Sequence, residues 1–243
     1  QIFLFMLYLI SLGIFDEKDM SMRAIECAKK CDFLFFEKYT AKPKTNAKKL
    51  SEFLGKEVKE IGREDLEENS DDIIKMSEKN NVGIIISGDA LIATTHISLI
   101  LEARKRGIEA KVIHGSSIYT AVCSSGLQIY KFGRTVTLTK RGEKSTIKEI
   151  KENRKRGLHT LVLLDIDLEL SDAINILLKS KAIKENEKIV LYSNLGEYEI
   201  IKYISPKEFF ESDFFKNLKE EQFSIIIPGK LHFIEEEALS LWN

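Results

Sequence analysis

From Leu7 onward, short apolar runs rich in β-branched residues alternate with amphipathic segments whose apolar positions recur every three or four residues. The first kind reads as buried parallel strands and the second as the helices that cross between them. In the first half the pattern predicts strands over 7–12, 33–36, 83–87 and 110–113, with helices over 21–30, 45–54, 71–80 and 95–106. Gly107 then stops the last helix. Between Gly115 and Gly126 the texture changes to small residues, Ser116, Ser117, Ala121, Ser124 and Ser125, which places a domain boundary there. The second half predicts strands over 135–138, 160–165, 188–193, 199–204 and 223–227, and helices over 146–156 and 171–178. Gly196 sits in a hairpin-like position between two of those strands. The expected fold class is α/β, two α/β lobes spanning 6–114 and 119–243.

The apolar run from Ile2 to Phe15 raises the question of a membrane anchor or a leader peptide. It is shorter than the roughly 20 residues a spanning helix needs and lacks a basic flank, so a buried strand is expected. Because residues 7–12 already complete that strand, Met6 is expected to be the natural start, with Gln1 to Phe5 an upstream extension.

Composition narrows the classes further. At 31% charged and 44% hydrophobic residues, 243 residues form an ordinary globular protein with enough chain for real cores. A formal net charge of -1 provides no global attraction for nucleic acid or an anionic membrane. Neither is expected as a direct partner. Cys27, Cys31 and Cys123 form no C-x-x-C pair, so they suggest no disulfide framework and no metal site, and a reducing cytoplasm fits. The basic stretch from Lys148 to Arg156 reads as a solvated helix face.

Ligands of open α/β sheets bind beyond the carboxyl ends of parallel strands. The residues to inspect are therefore Ser11 to Asp16, Gly88 to His96, His114 to Ile118, Leu164 with Asp165, and Asn194 to Gly196. Ser11 and Gly13 are not a G-x-G-x-x-G phosphate fingerprint, which argues against a nicotinamide-dependent oxidoreductase. Gly88 permits close backbone approach, and Asp89 reads either as a turn former or as an acceptor for ligand hydroxyl or ammonium groups. Thr94, Thr95 and His96 read as caps of the following helix, the alternative being that they reach into a cleft. His114, His159 and His232 are scattered and expected to be structural, and no hydrolase nucleophile elbow is present.

Several segments, taken together and in order, are similar to the tetrapyrrole methylase family. They are Leu7-Tyr8-Leu9-Ile10-Ser11-Leu12-Gly13-Ile14, Glu37-Lys38-Tyr39-Thr40, Gly88-Asp89 through Ala93-Thr94-Thr95-His96, Val112-Ile113-His114, Ser117-Ile118, Arg156-Gly157-Leu158-His159 and Pro228-Gly229-Lys230-Leu231-His232. The branch they resemble acts in diphthamide biosynthesis. The resemblance implies a cytoplasmic homodimer that binds S-adenosylmethionine in a cleft between two lobes and releases S-adenosylhomocysteine. Its implied substrate is translation elongation factor 2, methylated on the amino group of an aminocarboxypropyl-histidine. Carried over position by position, it implies cofactor contacts at Ile14, Asp89, Ile92, Ser117, Ile118, Leu164, Leu195 and Phe223, largely through backbone groups, with Asp89 using its side chain. No catalytic residue and no metal ligand are implied.

The chain departs from the family pattern at Ser11, where glycine is usual, Ala90 (proline), Asn194 (arginine) and Phe223 (histidine). The segment from Lys140 to Thr146 is shorter than its counterpart. These departures keep two alternatives open: a sister enzyme acting on a corrin precursor or ribosomal RNA, and a cofactor-binding homologue without turnover.

Overall fold

The computed structural model describes residues 5–193, 196–217 and 222–243. The chain divides into two compact units, one through Ile118 and one from Tyr119 to Asn243. A four-residue helix, α6 (Ile118–Ala121), carries the chain from the first to the second. Among the described residues no helix is long and apolar enough to cross a membrane.

The first unit is a wholly parallel sheet of β1 (Met6–Gly13), β2 (Phe33–Glu37), β3 (Lys59–Ile61), β4 (Val82–Ser87) and β5 (Glu109–Ile113), in the order β3-β2-β4-β1-β5. Strands β1 and β4 are apolar but for Tyr8, Ser11 and Ser87 because both their faces are covered. Leu7, Leu9, Ile84 and Ile86 pack on one side with Ile73 and Ile74 of α4 (Ser70–Met76) and Leu99 and Ile100 of α5 (Ile97–Lys105). Ile10, Leu12, Ile85 and Phe36 pack on the other with Ala24 and Ala28 of α1 (Met22–Lys30) and Leu50 and Leu54 of α2 (Ala47–Leu54). The helix starts follow local chemistry: the Ser21 hydroxyl accepts from the Ala24 N–H at 3.1 Å, and the Asn46 side chain from the Lys49 N–H at 3.0 Å. That Asn46 cap moves the start of α2 past the Thr45 expected from periodicity. β3 and α3 (Arg63–Glu67) escaped the pattern, since three and five residues are too few to show a period.

The second unit carries a mixed sheet. Its order is β6-β7-β10-β8-β9, for β6 (Val136–Leu138), β7 (Thr160–Leu164), β8 (Ile189–Ser193), β9 (Ile200–Ile204) and β10 (Ser224–Ile227). Only β6 and β7 run parallel; β10 is antiparallel to both its neighbours, and β8 and β9 form the hairpin the sequence suggested. β10 arrives last in the chain and inserts centrally, a pairing that its own four residues do not encode. Ile147 and Ile150 of α7 (Lys144–Lys155) and Ala173, Ile174 and Leu177 of α8 (Leu170–Lys179) close the core. α9 (Pro206–Glu211), α10 (Asp213–Asn217) and α11 (Phe233–Ser240) complete the unit.

Candidate active site

The carboxyl edge of the first sheet gathers the ends of β1, β4 and β5. Gly13 and Gly88 meet there and exchange two backbone hydrogen bonds, 3.2 Å from the Gly13 N–H and 2.7 Å from the Gly88 N–H. Both take left-handed φ values, +98° and +70°. A side chain at Gly13 would run into Asp19, whereas the space beside Gly88 is open. Asp19 supports this turn: its carboxylate accepts from the backbone N–H groups of Ile14 (3.1 Å) and Phe15 (2.7 Å). Sequence reading passed over Asp19, although an acidic residue several positions beyond a glycine turn is a signal for such a brace. Ile14 is thus fixed, half-buried, with its N–H already engaged.

Asp89 lies just beyond β4 and is 6% exposed. One carboxylate oxygen accepts from the Leu91 N–H (3.0 Å), and the other from His114 Nδ1 (2.8 Å) and the Gly115 N–H (3.1 Å). A carboxylate offers about four acceptor positions, so most of this one is committed to joining the loops after β4 and β5. His114 contributes to that junction while its own side chain stays largely exposed. Ser117 is buried and Ile92 exposed on these same two loops, and Ile118 is half-buried at the start of the helix that follows. Ser87, at the end of β4, has a buried hydroxyl without a hydrogen-bond partner among the described residues. An orphaned hydroxyl, open space at Gly88 and exposed Ile92 together suit an edge that receives a ligand carrying both polar and apolar groups.

The capping expectation for Thr94 to His96 is overturned. The Thr94 hydroxyl donates back to the Ala90 carbonyl at 2.8 Å, and His96 precedes α5 without a side-chain cap. Instead the buried His96 ring reaches Tyr39 Oη through Nε2 (3.2 Å) and the Ala90 carbonyl through Nδ1 (3.4 Å). Burial lowers its pKa, partly offset by the nearby Glu37 carboxylate. Glu37 is fully buried and accepts from the Tyr39 N–H (2.5 Å), the Thr40 N–H (2.7 Å) and the Thr40 hydroxyl (2.6 Å). Burial first, and the Glu37 charge second, raise the Tyr39 phenol to about 12. Two of the departures noted above prove to touch: Ser11 Oγ accepts from the Ala90 N–H at 2.9 Å.

In the second unit the register sets Ser224 opposite Leu163 and Tyr192. The start of β10 therefore lies beside the ends of β7 and β8, which brings Phe223 and Leu164 to one edge of that sheet. The Ser193 hydroxyl ties this edge together through the Gln222 carbonyl at 2.9 Å. Both candidate side chains belong to the core, Phe223 against the Phe215 ring, so what they offer a ligand is backbone. Leu195 lies outside the described residues.

Comparison with known proteins bears on the family. The family model "Tetrapyrrole (Corrin/Porphyrin) Methylases" matches residues 6–200. A diphthine synthase of Methanocaldococcus jannaschii is 37% identical, the match covering 96% of this chain and 97% of that one. One from Archaeoglobus fulgidus is 34% identical over 96% of this chain and 94% of its own. A crystal structure of diphthine synthase superposes with a TM-score of 0.90 at 33% identity, covering 98% of this chain and 95% of the other. The family match across both units, and the relatives that span nearly the full length, show that this chain belongs to the tetrapyrrole methylase family and is an S-adenosylmethionine-dependent methyltransferase.

Proposed function

We propose that the chain methylates the amino group of the aminocarboxypropyl-histidine on translation elongation factor 2, in diphthamide biosynthesis, as a cytoplasmic homodimer. The observation that carries this reading is the end-to-end similarity to diphthine synthases. Ile14, Asp89, Ile92, Ser117 and Ile118 of the first unit are the proposed cofactor contacts, with Leu164, Leu195 and Phe223 of the second. When bound, S-adenosylmethionine supplies an electrophilic methyl group on a sulfonium. What the chain supplies is placement: the Gly13 and Gly88 turns bring backbone groups close to a ligand, and Asp89 locks two loops at fixed spacing. For well-oriented reactants such placement is worth roughly 7 to 11 kcal/mol. The accepting amine must be neutral to use its lone pair, and desolvation favours that form.

The shortened segment bears on the substrate side. It forms a tight turn in which the Gly142 N–H bonds the Thr139 carbonyl at 3.0 Å and Glu143 accepts from the Thr139 hydroxyl at 2.6 Å. The experiment is incubation of the purified chain with S-adenosylmethionine and elongation factor 2 carrying the unmethylated precursor, read by mass spectrometry. Added methyl mass on the modified histidine is the expected result. Methylation of a corrin precursor or ribosomal RNA instead would assign the sister activity, and cofactor binding with no turnover on any of them a homologue without catalysis. Asp89→Ala should weaken cofactor binding by more than the ~1 kcal/mol of an ordinary hydrogen bond, because three donors that join the two loops lose their acceptor with it; unchanged calorimetric affinity would remove Asp89 from the site.

A further inference from the structure

The backbone of Ala90 is held from three directions. Its N–H, on a residue with no exposed surface, is accepted by Ser11 of β1. Its carbonyl accepts from Thr94 Oγ1 at 2.8 Å and faces His96 Nδ1 at 3.4 Å. A carbonyl oxygen can only accept, so this contact places the imidazole proton on Nδ1 and leaves Nε2 to accept from the Tyr39 hydroxyl. A neutral histidine beside a protonated phenol is the state that burial favours for both groups. Tyr39 is held in turn: Glu37 binds the backbone of the Tyr39-Thr40 turn, and the Arg63 guanidinium lies 5.2 Å from the centre of its ring.

This chain of contacts starts at the carboxyl end of β2, crosses to the loop after β4 and ends on β1. That loop carries Asp89 and Ile92 and contains Ala93 at φ +57°, a left-handed value that costs a non-glycine residue energy and persists only where neighbours impose it. We propose that the backbone of Ala90 is a clamp point, gripped by Ser11 on its N–H and by His96, oriented through Tyr39 and Glu37, on its carbonyl. Ser11, Tyr39 and His96 are thereby positioning residues for the ligand received at Asp89 and Ile92. The inference rests on the proposed cofactor site, but the clamp itself has a signature that needs no ligand.

The test measures amide hydrogen exchange at Ala90 in the unliganded full chain, and S-adenosylmethionine affinity by calorimetry, for the wild type, Ser11→Ala, His96→Leu and His96→Asn. Asn restores an N–H close to the position of Nδ1, and Leu fills the space without one. A slow Ala90 amide is expected in the wild type. Ser11→Ala and His96→Leu should each speed its exchange and weaken binding roughly tenfold, as loss of a buried partner does, and His96→Asn should recover most of both. A merely space-filling role for His96 predicts no difference between Leu and Asn. Fast Ala90 exchange in the wild type, unchanged affinity in Ser11→Ala and His96→Leu, or equal behaviour of His96→Asn and His96→Leu would overturn the clamp. A wild type that binds no S-adenosylmethionine yet shows the expected exchange pattern would refute the functional reading and support the clamp.

Discussion

Glu235 is the residue whose loss should damage the second unit most. It is fully buried at the start of α11, and its carboxylate accepts from the Gln128 N–H (3.0 Å), the His232 N–H (2.8 Å), His159 Nε2 (3.0 Å) and the Lys131 ammonium. The Gly229 N–H donates to His159 Nδ1 at 2.8 Å, which fixes the tautomer with its proton on Nε2. Burial alone would raise the Glu235 pKa, but the surrounding donors outweigh it and hold the carboxyl at about 2, against an ordinary 4.5. At about 1.4 kcal/mol per tenfold change in acidity, that difference amounts to about 3 kcal/mol of folding stability. Because the folded value is depressed, this stability is present above pH 4.5 and is lost as pH falls towards 2. His159 acts in the same direction: burial lowers its pKa below 6.5, so protonation on acidification favours the unfolded chain. Glu235→Ala strands four donors at once and should cost about 3–5 kcal/mol at pH 7, the usual penalty for removing one partner of a buried charged pair. The assay is guanidinium unfolding followed by fluorescence of Trp242, the one tryptophan, whose indole N–H bonds the Ser125 carbonyl at 3.2 Å in the same unit. Variant stability within about 1 kcal/mol of wild type would refute the reasoning. So would a Glu235→Gln protein that kept the wild-type loss of stability between pH 4.5 and 2.

The two active-site glycines should respond differently to alanine. Gly88→Ala meets open space and carries only the left-handed backbone cost of about 1–2 kcal/mol, while Gly13→Ala adds a collision with Asp19 and should cost more and abolish cofactor binding; equal thermal shifts for the two variants would contradict this. Asn153 in α7 accepts from the Arg134 N–H (3.1 Å) and donates to the Arg134 carbonyl (2.8 Å) and Thr160 Oγ1 (3.1 Å) while 4% exposed. Asn153→Leu should therefore destabilise the second unit by about 2–3 kcal/mol in chemical denaturation, and a neutral result would mean these bonds contribute nothing net.

Strands buried on both faces, such as β1 and β4, could be read from their dense apolar runs, and so could the helices beside them, because their stripes repeat at the helical period. The ordered segments Leu7 to Ile14, Gly88 to His96 and Pro228 to His232 carried the family resemblance, and with it the class of reaction. Three-residue β3 left no periodic trace, and the antiparallel insertion of β10 between β7 and β8 is a choice among partners distant in the chain. Side-chain roles at the site were decided in the same non-local way. Asp89 could be read as a turn former or a ligand acceptor, and only the fold showed that its carboxylate also joins His114 and Gly115, twenty-five and twenty-six positions on. Ser11 and Ala90, two separate oddities in the linear chain, became one hydrogen bond across seventy-nine positions. Burial pattern and backbone preference act over a few neighbouring residues and are written locally, whereas hydrogen-bond satisfaction depends on whichever groups folding brings within about 3 Å.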